Sequence, residues 1–170
     1  APAYGCITPA KVDALRALGG GLACFWALAG DARPAGCDGV WLPGGYPELH
    51  GAALAANAGL WAGLRAHVAA GKPVLAECGG LMSLLEAIVD KAGVEHTFAG
   101  LLPGRAVMQK RLAALGMQEV DLPGGRLTGH TFHYSQTETP PAPWLRPRRP
   151  DGGAGEAIYR PGPRSYTHRL

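Results

Sequence analysis

PVLAECGGLM, residues 73–82, is a short apolar run that ends on a Glu-Cys pair and passes at once into two glycines. Lys72 to Glu77 has the continuous apolar pattern of a fully buried strand. GLMSLLEAIVD (residues 80–90) is expected to be the helix that follows it. A cysteine with only a core role needs no glycines behind it. A nucleophile between strand and helix does, because side chains beside it would clash in so sharp a turn. The helix N-terminus favours a thiolate, and the backbone N–H of Gly79 would face an oxyanion formed on attack. Cys78 is therefore a candidate nucleophile, set against a plain core cysteine in a tight turn.

Working outward, buried strands alternate with helices. AKVDALRALGG (residues 10–20) reads as an amphipathic helix with Val12, Leu15 and Leu18 on one side. GLACFWAL (residues 21–28) has the length and composition of a buried strand. DGVWLPGG (residues 38–45) is another, ending in glycines. ELHGAALAANAGLWAGLRAHVAAG (residues 48–71) is helical, with Leu60, Leu64 and Val68 on one stripe and Gly71 as the stop. This alternation predicts an α/β fold with a mostly parallel central sheet flanked by helices. The second half changes character. EHTFAGLLPG, QEVDLPGGRLTGHTFHYSQTE and EAIYRPG suggest shorter strands and a more antiparallel arrangement, with a hairpin turn at PGGR (residues 123–126). Residues 139–156, rich in proline, are expected to form a long loop. No strand signal precedes the first helix, and SYTHRL ends the chain abruptly. Both ends read as trimmed.

The 170 residues suit one domain, and 47% hydrophobic against 17% charged residues excludes a disordered chain. Part of the formal net charge of +3 sits in RPRRP (residues 146–150). That patch lacks interleaved aromatics and reads as a solvated loop, so no nucleic-acid partner is expected. No apolar run is long enough for a membrane span. No signal peptide is visible, and a reducing, cytoplasmic setting is the expectation. Cys6, Cys24 and Cys37 read as small core residues. No Cys/His spacing suggests a metal site.

A second glycine pair strengthens the site. In LPGGYPELH (residues 42–50) a strand ends at Gly44 and Gly45. Ligands of α/β sheets bind at the carboxyl ends of strands, so this end and that of Glu77 can share one crevice. Gly45 is then a second oxyanion donor. A cysteine nucleophile also needs a base. His67 and His96 read as solvated, and His50 as a cap or surface residue. His130, His133 and His168 remain, and spacing does not choose among them.

DGVWLPGGYPELH, PVLAECGGLM, GLLPGRAVMQKRLAALG, GHTFHYS and SYTH occur in this order. Together they resemble the C-terminal glutaminase domain of the cobyrinic acid a,c-diamide synthases, within the class I glutamine amidotransferases and their flavodoxin-like fold. The resemblance covers nearly the whole chain, so residues 1–170 are expected to be one glutaminase domain. It implies Cys78 as the nucleophile that forms a γ-glutamyl thioester, and His168 as general base and acid. Gly45 and Gly79 match the oxyanion hole. Gly44 and His133 fall at substrate-binding positions. Glutamine is the implied substrate, and a tetrapyrrole, cobyrinate, the implied acceptor. The related hydrogenobyrinate, nickel-sirohydrochlorin and cobyric acid enzymes share much of the pattern. ATP and Mg²⁺ are expected on an N-terminal synthetase domain, since no Gly-x-x-x-x-Gly-Lys-Ser/Thr loop occurs here. The oligomeric state stays open, with a homodimer as the assembly considered.

Two departures stand out. The usual Gly-x-Cys-x-Gly is Ala76-Glu77-Cys78-Gly79-Gly80 here. The third triad member of the class, a Glu two residues after the His, is Leu170. A Cys-His dyad is therefore expected, and Glu77 has no assigned role. A catalytically silent domain and a stand-alone cysteine hydrolase are the competing functions.

Overall fold

The computed structural model describes residues 3–169. The elements in chain order are α1 (Pro9–Ala17), β1 (Val40–Leu42), α2 (Gly51–Ala56), α3 (Ala58–Ala69), β2 (Val74–Glu77), α4 (Gly79–Leu84), β3 (Leu85–Val89), β4 (Glu95–Thr97), β5 (Leu102–Met108), β6 (Ala114–Leu122), β7 (Gly125–His133), β8 (Ser135–Glu138) and β9 (Tyr166–His168). It is an α/β protein with a parallel sheet and helices. The parallel sheet has the order β1-β2-β9, a mixed sheet the order β4-β3-β5-β8, and β6 and β7 form a two-stranded antiparallel ribbon.

The parallel sheet positions the site. Val40, Trp41 and Leu42 pair with Val74, Leu75 and Ala76, and Glu77 pairs with His168. The carboxyl ends of all three strands therefore meet at residues 42–45, 77–78 and 168–169. Leu54, Leu60 and Leu64 of the helices are at most 1% exposed and join Leu42, Val74 and Ala76 in one core. Burying each such leucine contributes about 1.5–3 kcal/mol.

Several elements depart from the sequence expectation. The helix over 80–90 ends at Leu84, and the chain continues as β3. Both halves are apolar, so length and period do not separate them. The β-branched Ile88 and Val89 favour the extended form, and β3 lies parallel to β5. GLACFWAL is no strand. It is irregular apart from a 3₁₀ turn at Ala27–Ala29. Leu22, Cys24 and Trp26 are exposed. Gly19 to Gly21 raise the entropic cost of ordering it, and among the described residues no strand lies on the free edge of β1. The helix over 10–20 forms as α1, capped by Thr8, but none of its residues is buried.

The assignments of three cysteines and two histidines also change. Cys6 and Cys24 are exposed and Cys37 half-buried, so none is a core residue. His67 is 2% exposed, with Nε2 3.1 Å from the Pro73 carbonyl oxygen where α3 turns into β2. His96 sits on β4 with Nε2 3.1 Å from Asp90. His50 is half-buried at the start of α2 and makes no side-chain cap bond. The hairpin turn falls at Pro123-Gly124 between β6 and β7, as the sequence predicts. The basic loop is pinned rather than loose: Arg148 exchanges backbone hydrogen bonds with Glu119 at 2.7 and 2.9 Å. Among the described residues no helix is long and apolar enough to cross a membrane. No cluster of three or more His, Cys, Asp or Glu side chains suited to a metal ion occurs among them.

Candidate active site

Cys78 stands between β2 and α4 with φ 46° and ψ −101°. It is the one non-glycine residue with positive φ among the described residues. A side-chain-bearing residue there costs of order 1–3 kcal/mol and persists only where its surroundings enforce it. Here they do. The Cys78 N–H donates to the His168 carbonyl at 2.8 Å, and its carbonyl accepts from Met82 at 3.2 Å. Cys78 is thus tied to β9 on one side and to α4 on the other.

The glycines allow the close approach. A Cβ on Gly79 would lie 2.6 Å from the Gly45 oxygen and 2.9 Å from the Gly45 nitrogen. A Cβ on Gly45 would overlap Ala3, and one on Gly44 would stand 3.7 Å from Cys78 Cβ. Gly44, Gly45, Cys78 and Gly79 therefore form one contiguous patch at the strand ends. The Gly79 N–H favours the thiolate form of Cys78.

Burial pushes the Cys78 thiol up from its ordinary value. Arg169 and the Gly79 N–H oppose that shift, and Cys6 and Glu48 reinforce it. Glu48, half-buried in the turn after Gly45, is itself held up by burial.

His168 ends β9 beside Cys78 and is 6% exposed. Its Nε2 lies 3.4 Å from Glu77 Oε1. The Glu77 carboxylate also accepts from Trp41 Nε1 at 3.0 Å and from Lys11 Nζ at 3.3 Å. Burial pushes Glu77 up, but His168, Lys11 and Trp41 outweigh it and hold the carboxyl below its usual range. Leu170, the residue at the position of the expected triad carboxylate, lies outside the described residues.

His130 and His133 separate as the pleat of β7 requires: His133 is buried and His130 exposed. His133 joins a buried polar group that includes Arg169, itself 4% exposed. Arg169 Nη1 donates to the Ser135 carbonyl at 3.0 Å and to Ser135 Oγ at 3.1 Å. Its Nη2 donates to Thr137 Oγ1. Nη1 also lies 2.9 Å from His133 Nδ1. His133 Nδ1 lies 3.0 Å from the Ser135 carbonyl oxygen as well, and its Nε2 is 3.4 Å from Glu156 Oε2. His133 holds Glu156 below its usual range, against the opposing effect of burial. These groups line a polar cavity of about 520 Å³ with Gln109, Arg111 and Arg146, within the size range of small-molecule pockets. The cavity reaches the elbow through Leu81 and Arg169. A separate hollow of about 540 Å³ on the mixed sheet, lined by Glu86, Glu95, Arg105 and Glu138, shares no residue with the elbow.

Sequence reasoning missed Arg169, Glu156 and the contact of Glu77 with His168. An arginine directly after a candidate catalytic histidine was a visible signal. The pairing of Glu77 with His168 depends on strand register and had none.

Residues 3–164 match the CobB/CobQ-like glutamine amidotransferase domain. The chain is 48% identical over 169 residues to a hydrogenobyrinate a,c-diamide synthase of Stutzerimonas stutzeri, covering 98% of this chain and 39% of that protein. It is 50% identical over 162 residues to a protein of the same name from Pseudomonas aeruginosa, covering 94% and 37%. A cobyrinate a,c-diamide synthase of Herminiimonas arsenicoxydans is 40% identical over 167 residues, covering 98% and 38%. The chain thus spans well under half the length of these relatives. With the family model matched across nearly all of it and the cysteine elbow in place, this chain belongs to the CobB/CobQ-like glutamine amidotransferase domain family.

Proposed function

We propose that this chain is the glutaminase part of an ATP-dependent a,c-diamide synthase. It hydrolyses glutamine and supplies the ammonia that converts the a and c carboxylates of cobyrinate to amides. The observation that carries this reading is the Cys78 elbow, strained at φ 46° and bonded to the backbone of His168. Such an outlier points to function when its neighbours are arranged to hold it.

In this reading the Cys78 sulfur attacks the side-chain amide carbon of glutamine while His168 takes the thiol proton. The Gly45 and Gly79 N–H groups receive the oxyanion. His168 returns the proton to the departing nitrogen, ammonia leaves, and a γ-glutamyl thioester remains. Water activated by His168 then releases glutamate. Gly44 keeps the approach to Cys78 open. His133 lines the polar cavity beside the elbow that would take the amino-acid end of the substrate. A fold of the class I, flavodoxin-like type fits the parallel sheet. ATP and Mg²⁺ would be bound by an N-terminal synthetase domain outside residues 1–170, which the greater length of the relatives accommodates. The free cysteines fit a reducing, cytoplasmic compartment.

A second acceptor, hydrogenobyrinate, is favoured by one observation: the relatives at 48% and 50% identity both carry that name. The test of the glutaminase role is Cys78→Ala in the full-length protein. Glutamine-dependent amidation should vanish while amidation with added ammonia persists. Loss of both, or retention of the glutamine-dependent reaction, would count against the role. Assay of cobyrinate against hydrogenobyrinate decides the acceptor.

A further inference from the structure

The candidate dyad has a carboxylate partner, supplied from an unexpected place. Glu77 immediately precedes the nucleophile and is the register partner of His168 across β2 and β9. Facing partners on adjacent strands project their side chains to the same side of the sheet. Glu77 Oε1 accordingly reaches to 3.4 Å from His168 Nε2, with the two side chains 13% and 8% exposed. Catalytic hydrogen bonds are often long before substrate binds and tighten afterwards.

We propose that Glu77 is the positioning carboxylate of this site, completing a Cys78–His168–Glu77 triad from the residue just before the nucleophile. This rests on the reading of Cys78 and His168 as nucleophile and base. Glu77 accepts the Nε2 hydrogen of His168. That fixes the tautomer whose Nδ1 holds the lone pair, so Nδ1 is the atom that takes the Cys78 thiol proton and returns it to the leaving ammonia. When Nδ1 is protonated, the facing carboxylate stabilises the imidazolium. Glu77 is itself held from the far side. Trp41 Nε1 on β1 donates to Oε2, and Lys11 Nζ on α1 lies 3.3 Å from both oxygens. Those anchors prevent the carboxylate from swinging into solvent. They also give α1, which buries none of its own residues, a role at the strand ends.

The contact explains why a Glu occupies the elbow position where the class usually has any residue. In a parallel sheet whose base lies on the neighbouring strand, that position is the one facing the base. A carboxylate there does the work that a residue two positions after the histidine does elsewhere in the class.

The experiment is steady-state glutamine hydrolysis by the full-length protein as a function of pH, for wild type, Glu77→Gln, Glu77→Asp and Cys78→Ala. Glu77→Gln keeps the size of the side chain and removes its charge. The proposal expects kcat to fall on the order of 100-fold or more, the scale of lost acid–base assistance, with KM nearly unchanged. It also expects the acidic limb of the kcat/KM profile to move to lower pH, because an imidazolium without its carboxylate is easier to deprotonate. Glu77→Asp should recover part of kcat and bring the limb back toward wild type. The limb position does not depend on how much enzyme folds, so it separates positioning from mere stability. An unmoved limb and wild-type kcat in Glu77→Gln, with Cys78→Ala inactive, would overturn the proposal and leave the glutaminase reading standing. Glutamine hydrolysis by Cys78→Ala would overturn the reading beneath it.

Discussion

Cys78 donates its backbone N–H to the carbonyl oxygen of His168 at 2.8 Å. This one bond extends the β2–β9 ladder past the end of the strand and fixes the proposed nucleophile against the residue proposed as its base. Because it is a main-chain bond, no side-chain substitution at either position removes it. The elbow should keep its shape in Cys78→Ala and His168→Ala, and loss of activity there would report chemistry rather than collapse.

Gly80 tests the packing of the elbow. A Cβ there would lie 2.1 Å from the Leu42 oxygen and 2.9 Å from Leu42 Cβ. Both belong to β1, which cannot shift without breaking its register with β2. Gly80→Ala should destabilise the fold by about 1–3 kcal/mol, the usual cost of overpacking. The denaturant midpoint of purified protein measures it. An unchanged midpoint would contradict this close packing of α4 on β1.

Arg169 tests the electrostatics. Its buried cation opposes the upward push that burial exerts on the Cys78 thiol. Removing the charge takes away the larger of the two opposing influences and leaves only the Gly79 N–H, so the thiol should titrate at higher pH in Arg169→Met. Only the thiolate is alkylated efficiently. The rate of Cys78 alkylation near neutral pH should fall several-fold and its inflection move upward, while Arg169→Lys should retain more of the wild-type behaviour. The iodoacetamide rate measured against pH decides it, and an inflection that stays put would contradict the account.

The acid limb of stability follows from Glu77. Its carboxyl is held below the ordinary Glu range, so the folded state favours the ionised form. Such a group contributes stability that is fully present above about pH 4.3, the unperturbed Glu value, and is lost as pH falls through the depressed folded value. The melting-temperature gap between wild type and Glu77→Gln should therefore be largest near neutrality and close on acidification toward pH 3. The Lys11 share of this effect is small, because that ammonium is about half exposed. A gap that widens at low pH would have the wrong sign for this assignment.

Much of this site was legible in the sequence because it is built from local signals. A buried strand, a cysteine and two glycines announce an elbow wherever they occur in this order, and LPGG marks a second strand end by the same chemistry. The hairpin at Pro123-Gly124 was equally local. What escaped depended on contacts between distant segments. GLACFWAL has strand composition, but a strand exists only with a neighbour to pair with, and composition carries no information about neighbours. The helix after Cys78 stopped at Leu84 because β3 gains a parallel partner in β5, 102 to 108, which a local period cannot reveal. His67 looked like a polar-face residue until the turn into β2 folded over it. Glu77 is the sharpest case. Its sequence position suggested nothing, and its role follows from the register that sets it opposite His168.

An electrophilic glutamine analogue tests most directly whether Cys78 is the nucleophile of a glutamine-hydrolysing site. Incubated with the full-length protein and followed by intact-mass and peptide mass spectrometry, the analogue should add one adduct per chain, located on Cys78. Excess glutamine should protect against it, and Cys78→Ala should take up none. Equal labelling of Cys6, Cys24 and Cys37, or no labelling of a folded protein, would contradict the account.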